Sequence, residues 1–363
     1  MEGPRAPKRE ELSSLFEFLS DHLRPSTQWS IDAEYPLALS PNNLQNMRII
    51  KEDNKIVSHA LVKPTIIRTP AGLFKVASIG SVVTDTHYRN QGLSQKILDE
   101  CLEIAKGQKC DFAILWTDIY DFYRKVGFEL AGYEYNATID DSFAYSDPGL
   151  TIKNTNQVDP AALLRIYSKH TVGTIRTEID IKKSLAIPQT QLYTAWDSAG
   201  KLKAYAVTGK GADLVGYVHE WGGSVHPLMT LFSHIQKQAA KPINVIFPHH
   251  STNLHRHFID NNVKIHKGYL GMIKPIDLSS IIFKLIRSAK FCGVDDLVIE
   301  PYGNEFLLGI GEDTTLVPNI NQLTQIIFGP ADPMKLSGLT EPTRRLLERV
   351  LPLNMWIWGW DSV

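Results

Sequence analysis

Cysteine is nearly missing from this chain. Cys101, Cys110 and Cys292 are its three, and neither their number nor their spacing makes a disulfide framework or a zinc site. Excess charge is missing as well. With 38 Lys and Arg against 39 Asp and Glu the net charge is −1, which removes the bulk attraction on which nonspecific binding to nucleic acid or an acidic membrane surface depends. No apolar run approaches the roughly 20 residues of a membrane-spanning helix. Residues 1–8 lack the apolar core of an export signal, so a reducing cytoplasm is the expected setting and Asn136-Ala137-Thr138 is read as a chance glycosylation sequon. What remains is a globular composition, 43% hydrophobic and 21% charged, in a chain long enough for two or three domains.

Most of the information lies between Ser78 and Phe128. An apolar run, Ile79-Gly80-Ser81-Val82-Val83, leads through a turn into Arg89-Asn90-Gln91-Gly92-Leu93-Ser94. Leu93, Ile97, Leu98, Leu102 and Ala105 then recur with helical spacing, stopped by Gly107. A second apolar strand at 112–116 precedes Phe122-Tyr123-Arg124-Lys125-Val126-Gly127-Phe128. Gly92 lets backbone approach a bulky anion, and a helix beginning near Leu93 aims unpaired N–H groups and a positive dipole end at it. Arg89 adds a charge-assisted donor at the same mouth. Small Ser94 leaves room over the first helical turn.

Around this stretch the spacing predicts a helix at 10–23, a polar, turn-rich segment at 26–46, and strands at 47–50 and 56–62 joined by the hairpin sequence Glu52-Asp53-Asn54-Lys55. Strands at 65–69 and 73–83 pair across Pro70-Ala71-Gly72, and 133–139 supplies a further strand before Asp147-Pro148-Gly149 ends the first unit. From 152 the same element order begins again: helix 160–170, strands 192–196, 203–208 and 213–221, helix 228–239, strand 243–247, helix 254–261, and 263–274 to close. The Arg-x-x-Gly loop is missing from this second copy, where Glu220-Trp221-Gly222-Gly223-Ser224 and Pro227 stand instead. Gly209-Lys210-Gly211 lacks the flanking residues of a phosphate loop. A third unit, 278–363, combines helices at 278–288, 320–328 and 341–350 with a hairpin at 296–310. It ends on Trp356, Trp358 and Trp360, which are costly to leave in water at about 25 cal/mol per Å² of apolar area; the tail is expected to be inserted. His249, His250, His255 and His257 show no zinc-ligand pattern, and polar capping of a helix start around 251–253 accounts for the region.

Arg89, Gly92 and Ser94 occupy the three fixed positions of the Q/R-x-x-G-x-G/A loop of the GNAT superfamily of N-acetyltransferases, Ser94 departing from Gly/Ala. Phe122-Tyr123 with Gly127-Phe128, about 30 residues on, resembles that family's last motif. The three-part layout is similar to acetyltransferases of the enhanced-intracellular-survival type: an active GNAT domain (1–149), a degenerate GNAT-like domain (150–277) and a sterol-carrier-like domain (278–363). The resemblance implies an α/β (α+β) fold, the GNAT acyl-CoA N-acyltransferase fold, duplicated, with a small α+β C-terminal domain. It implies acetyl-CoA as co-substrate, no metal, and direct acetyl transfer to a primary amine in a ternary complex.

On the same resemblance, Arg89, Asn90, Gln91, Gly92, Leu93 and Ser94 would hold the pyrophosphate, backbone groups of Val82 and Val83 would pair with the pantetheine arm, and Tyr123 (with Tyr120 as backup) would protonate the leaving sulfur. The Val363 carboxylate would turn back into the first domain's site, and Trp29, Glu34 and Tyr35 would line the acceptor groove. Val363, His87, Asp118 and Glu34 stand as alternatives for the general base, and a water relay could replace them. The expected partner is a small-molecule or peptide amine, with neither nucleic acid nor membrane involved, and the resembling family forms homo-oligomeric rings. A non-catalytic acyl-CoA sensor, or an acyltransferase with another donor or acceptor, is the alternative.

Overall fold

The computed structural model describes residues 1–363. Its first sheet has eight strands. Seven follow the order Glu2–Arg5, Met47–Glu52, Lys55–Thr69, Gly72–Thr84, Phe112–Leu115, Gly271–Pro275 and Glu129–Ala131, and the short strand Gly173–Thr174 pairs with Lys55–Thr69. The turn between the second and third of these places Asp53 and Asn54 at φ 48° and 64°, the paired left-handed conformation of a type I′ hairpin. Successive side chains alternate across the sheet. Ala60 and Val62 pack with the helix Leu93–Gly107 on one face, and Leu61 packs with the helix Leu12–Leu23 on the other. The strand Gly72–Thr84 runs antiparallel to its predecessor but parallel to Phe112–Leu115, and the helix Leu93–Gly107 makes the crossover.

The second sheet repeats the plan with seven strands, ordered Lys264–Gly268, Glu134–Ile139, Ile243–Phe247, Asp213–Gly223, Leu202–Lys210, Gln191–Trp196 and Thr151–Asn154. Its one parallel contact joins Asp213–Gly223 to Ile243–Phe247, bridged by the helix Val225–Ala239. The architecture is mixed α/β, with one sheet plan used twice.

The two sheets trade strands, which corrects two expectations. Glu134–Ile139, expected to extend the first sheet, lies in the second, between Lys264–Gly268 and Ile243–Phe247. Gly271–Pro275, expected to close the second unit, lies in the first, between Phe112–Leu115 and Glu129–Ala131. Periodicity fixes which residues form a strand and which face is apolar; it carries no information about the neighbour. Gly271 shows what the exchange needs, since a Cβ there would stand 2.9 Å from the Leu115 carbonyl oxygen. Neither sheet is complete without a strand from the other's stretch of chain.

Residues beyond 277 add a three-stranded antiparallel sheet, Leu297–Tyr302, Glu305–Ile310 and Asp313–Val317, with the helices Leu278–Phe291, Ile320–Phe328 and Glu341–Glu348. No helix is long and apolar enough to cross a membrane. Cys101, Cys110 and Cys292 are all free.

Candidate active site

The site begins where a strand pair stops pairing. Gly72–Thr84 and Phe112–Leu115 match from Val76 with Phe112 to Ser78 with Ile114. Just beyond, the first of these strands carries an extra residue: Leu61 faces Gly80, but His59 faces Val83. Ser81 absorbs the mismatch at φ 50°, a bulge that bends the strand away from its partner. His59, fully buried, fixes the bulge by donating from Nδ1 to the Ser81 carbonyl at 2.8 Å. Burial holds its imidazole down to about 4, so it is neutral. The opening is a cavity of about 370 Å³ with Gly80, Ser81 and Val82 on one side and Leu115 to Ile119 on the other.

At the outer end Gly92 is the N-cap of the helix Leu93–Gly107, at φ 75°. Nothing lies within 4 Å of where its Cβ would be, so the position supplies both the left-handed turn and open space. Leu93 is buried, and the backbone N–H groups of the helix's first turn have no partner within the helix. Ser94 does more than stay small. Its Oγ meets Thr84 Oγ1 at 2.9 Å, and Thr84 Oγ1 meets Ser58 Oγ at 2.7 Å, a hydroxyl chain tying the helix start to the bent strand. Arg89, Asn90 and Gln91 are exposed, and Arg89 Nε rests 3.4 Å from the Thr84 carbonyl. Val82 lines the cavity, whereas the Val83 side chain packs on the opposite face and its carbonyl accepts from Ser58 Oγ at 3.1 Å.

At the inner end the helix Tyr120–Lys125 presents Tyr123, 6% exposed, held edge-on between Phe122 and Phe128. Burial pushes its phenol up to about 12. Tyr120 is outside the cavity and exposed. The candidate bases separate cleanly. Asp118 and Val363 line the cavity. His87 is turned to solvent beside Asp85. Glu34 is fully buried and committed, accepting from Arg24 Nε at 2.7 Å, Trp29 Nε1 at 2.7 Å and the Ala212 N–H at 3.0 Å. Glu34 and Trp29 therefore brace a wall. Tyr35 is in the cavity, its hydroxyl donating to Asp213 of the second sheet, to which Arg24 Nη2 also donates at 2.9 Å.

The chain's end enters the same cavity. Trp356, Trp358 and Trp360 are all but fully buried, with Trp358 edge-on to Trp221 and donating to the Val172 carbonyl at 3.2 Å. Asp361 is held by Arg176, which also pairs with Glu220. Val363 lodges against Gly80 so closely that a Cβ on Gly80 would stand 2.8 Å from its carboxyl carbon. Gly80, Arg24 and Asp213, which line the cavity, were not read from the sequence as site residues. Only Gly80 gave a signal, a glycine inside an apolar strand, which often marks close approach of another backbone.

No group of three or more His, Cys, Asp or Glu side chains is placed to hold a metal ion. The histidines after Pro248 pack on aromatic rings, His249 on Tyr133 and His255 on Tyr135. Ser251 makes no side-chain cap at the helix Thr252–Asp260, contrary to the capping expected there.

Residues 5–131 match the family model described as acetyltransferase (GNAT) domain, which supports acyl transfer in general. No curated protein matches the chain. Among solved structures, a GCN5-related N-acetyltransferase from Anabaena variabilis ATCC 29413 superposes with a TM-score of 0.69 at 15% identity, covering 99% of each chain. A protein from Enterococcus faecalis V583 described as a probable N-acyltransferase gives 0.68 at 16% identity, covering 99% of this chain and 98% of that one. Eis1 from Mycobacterium abscessus gives 0.62 at 12% identity over 99% of each. At these identities the likeness is one of fold, along the whole chain.

Proposed function

We propose that the protein moves an acetyl group from acetyl-CoA to a primary amine by direct attack within a ternary complex. The observation that carries this reading is that Tyr123 and the terminal carboxylate of Val363 line one cavity, at the point where the bulged strand leaves its parallel partner. A pyrophosphate at Gly92 would meet the helix N-terminus and Arg89, and the pantetheine arm would run into the split beside Val82. The amine would enter beside the carboxylate, which takes its proton, while Tyr123 protonates the departing thiolate. A buried phenol held near 12 stays protonated at neutral pH and is suited to that donation.

The second copy of the fold supplies walls and anchors, through Asp213 and the tail contacts, in place of a cofactor loop. The segments 150–277 and 278–363 are read as the degenerate GNAT-like and sterol-carrier-like units, the first of them joined to 1–149 by strand exchange. Three free cysteines suit a reducing cytoplasm.

The test is thiol release from acetyl-CoA with a panel of amines, run beside Tyr123→Phe. Turnover that falls sharply in the variant supports the reading. CoA binding without turnover on any amine makes the protein an acyl-CoA sensor instead.

A further inference from the structure

We propose that Lys210, in the second sheet, is a positioning residue for the terminal carboxylate, and that holding the chain's last residues is the task of its buried ammonium. The inference rests on the reading that the Val363 carboxylate takes part in acetyl transfer.

A lysine is almost never fully buried unless something needs its charge there. Lys210 is 2% exposed, at the end of the strand Leu202–Lys210. An ammonium has three donors, and here all three acceptors belong to the tail: the Gly359 carbonyl at 2.9 Å, the Ser362 carbonyl at 2.6 Å and Ser362 Oγ at 2.8 Å. The ring of Tyr35 lies 5.0 Å away, so the cation faces the site's wall as well. Burial, and then the Lys63 ammonium, draw its pKa down to about 7, while the carboxylates of Asp213, Asp361 and Glu34 act in the opposite sense.

The geometry defines Val363 from two directions. Lys210 fixes the Ser362 carbonyl, hence the last peptide plane, from the second sheet. Gly80 leaves just enough room for the terminal residue on the first. None of the three bonds goes to the carboxylate itself; its position is set through the peptide plane before it. Lys63, buried in the first sheet, donates to the Asp361 carbonyl at 3.2 Å, and Arg176 holds the Asp361 side chain. These secure the residue before the clamp, while Lys210 secures the residue next to the carboxylate. A fold copy without its cofactor loop thereby keeps a part in the reaction.

The experiment uses the full chain carrying Lys210→Met, which keeps the length of the stem and removes the charge. Carboxypeptidase Y digestion followed by mass spectrometry should release Val363 and Ser362 at least about tenfold faster than from the parent. The kcat should fall by about 10²-fold, the usual effect of an ångström's misplacement, with KM for acetyl-CoA unchanged. Combining Lys210→Met with deletion of Val363 should be no slower than the deletion alone. Lys203→Met, on the same strand but half-exposed, should match the parent throughout. Should Lys210→Met fail to fold, Ser362→Ala removes one of the three acceptors and should accelerate release severalfold. An unchanged release rate in the folded variants, or additive losses in the double variant, overturns the proposal. Faster release from Lys210→Met, with deletion of Val363 harmless to turnover, upholds the clamp and overturns the catalytic reading of the tail.

Discussion

The carboxyl carbon of Val363 stands 2.8 Å from the point a Cβ would occupy on Gly80. The first-sheet strand that borders the cavity and Val363 are therefore fitted to each other. Gly80 has no positive φ, so alanine meets no backbone obstacle there and the whole conflict falls on the tail. Gly80→Ala should lower kcat by about 10²-fold through displacement of the carboxylate. The stability cost should stay within the roughly 1–3 kcal/mol of an overpacked site. Steady-state rates and urea unfolding of the same preparation check both; an unchanged kcat removes the tail from the reaction.

Tyr123 sets a pH expectation. A proton donor is lost as pH rises through its pKa, and burial places that point at about 12. Between pH 6 and 10 the phenol stays protonated, so it contributes no limb to the rate profile. Tyr123→Phe should lower kcat by about 10²–10⁴-fold, the usual worth of a general acid, while leaving the profile's shape intact over that range. A variant that loses an alkaline limb below pH 10 would place the titrating group at Tyr123 and contradict the burial argument.

Arg89 is exposed and bonded only to the Thr84 carbonyl, so its removal should leave stability unchanged. Binding should respond instead. A charge-assisted hydrogen bond is worth about 1.5–3 kcal/mol, or roughly 10- to 150-fold in Kd. Arg89→Ala should weaken CoA by that factor and leave pantetheine, which lacks the diphosphate, unaffected. Calorimetry with the two ligands separates a diphosphate contact from general damage to the loop.

The part of the site readable from sequence is the part built from neighbours in the chain. The Arg89–Ser94 loop, the helix behind it and Tyr123 follow from one turn, one glycine at positive φ and one 3.6-residue period. The insertion of the tail was also readable, because three tryptophans carry too much apolar area to leave in water. Arg24 meets Asp213 across 189 residues and Lys210 meets Gly359 across 149; lone charges at such separations leave no local trace. Glu34 illustrates the reverse error. A carboxylate in an expected acceptor loop looks like a base until Arg24, Trp29 and Ala212 are seen to use it. The helix Glu178–Leu185 had a readable start, Thr177 with Asp180 as a capping box, and went unread because little apolar periodicity follows it.

Acid should loosen the assembly through its histidines. Burial holds His59 and His170 down to about 4, and His219 and His250 to about 3. All four are neutral in the fold, whereas in the unfolded chain they take up protons near 6.5. Between pH 6.5 and about 4 the unfolded state therefore binds more protons, and stability falls as pH falls. Each histidine adds up to about 1.4 kcal/mol per pH unit. It is fully present above 6.5 and lost progressively below. His219 links this to the site, because it donates from Nε2 to the Gly209 carbonyl at 3.0 Å and its ring leaves no room for a side chain on Gly359 of the tail. Urea unfolding at pH 7 and pH 5 should show the loss, and His219→Gln should flatten the slope by one proton's worth while lowering stability at pH 7. The Glu134 carboxyl, raised by burial to about 7, acts in the opposite sense over this window. Equal stability at the two pH values would mean that the four imidazoles do not outweigh it.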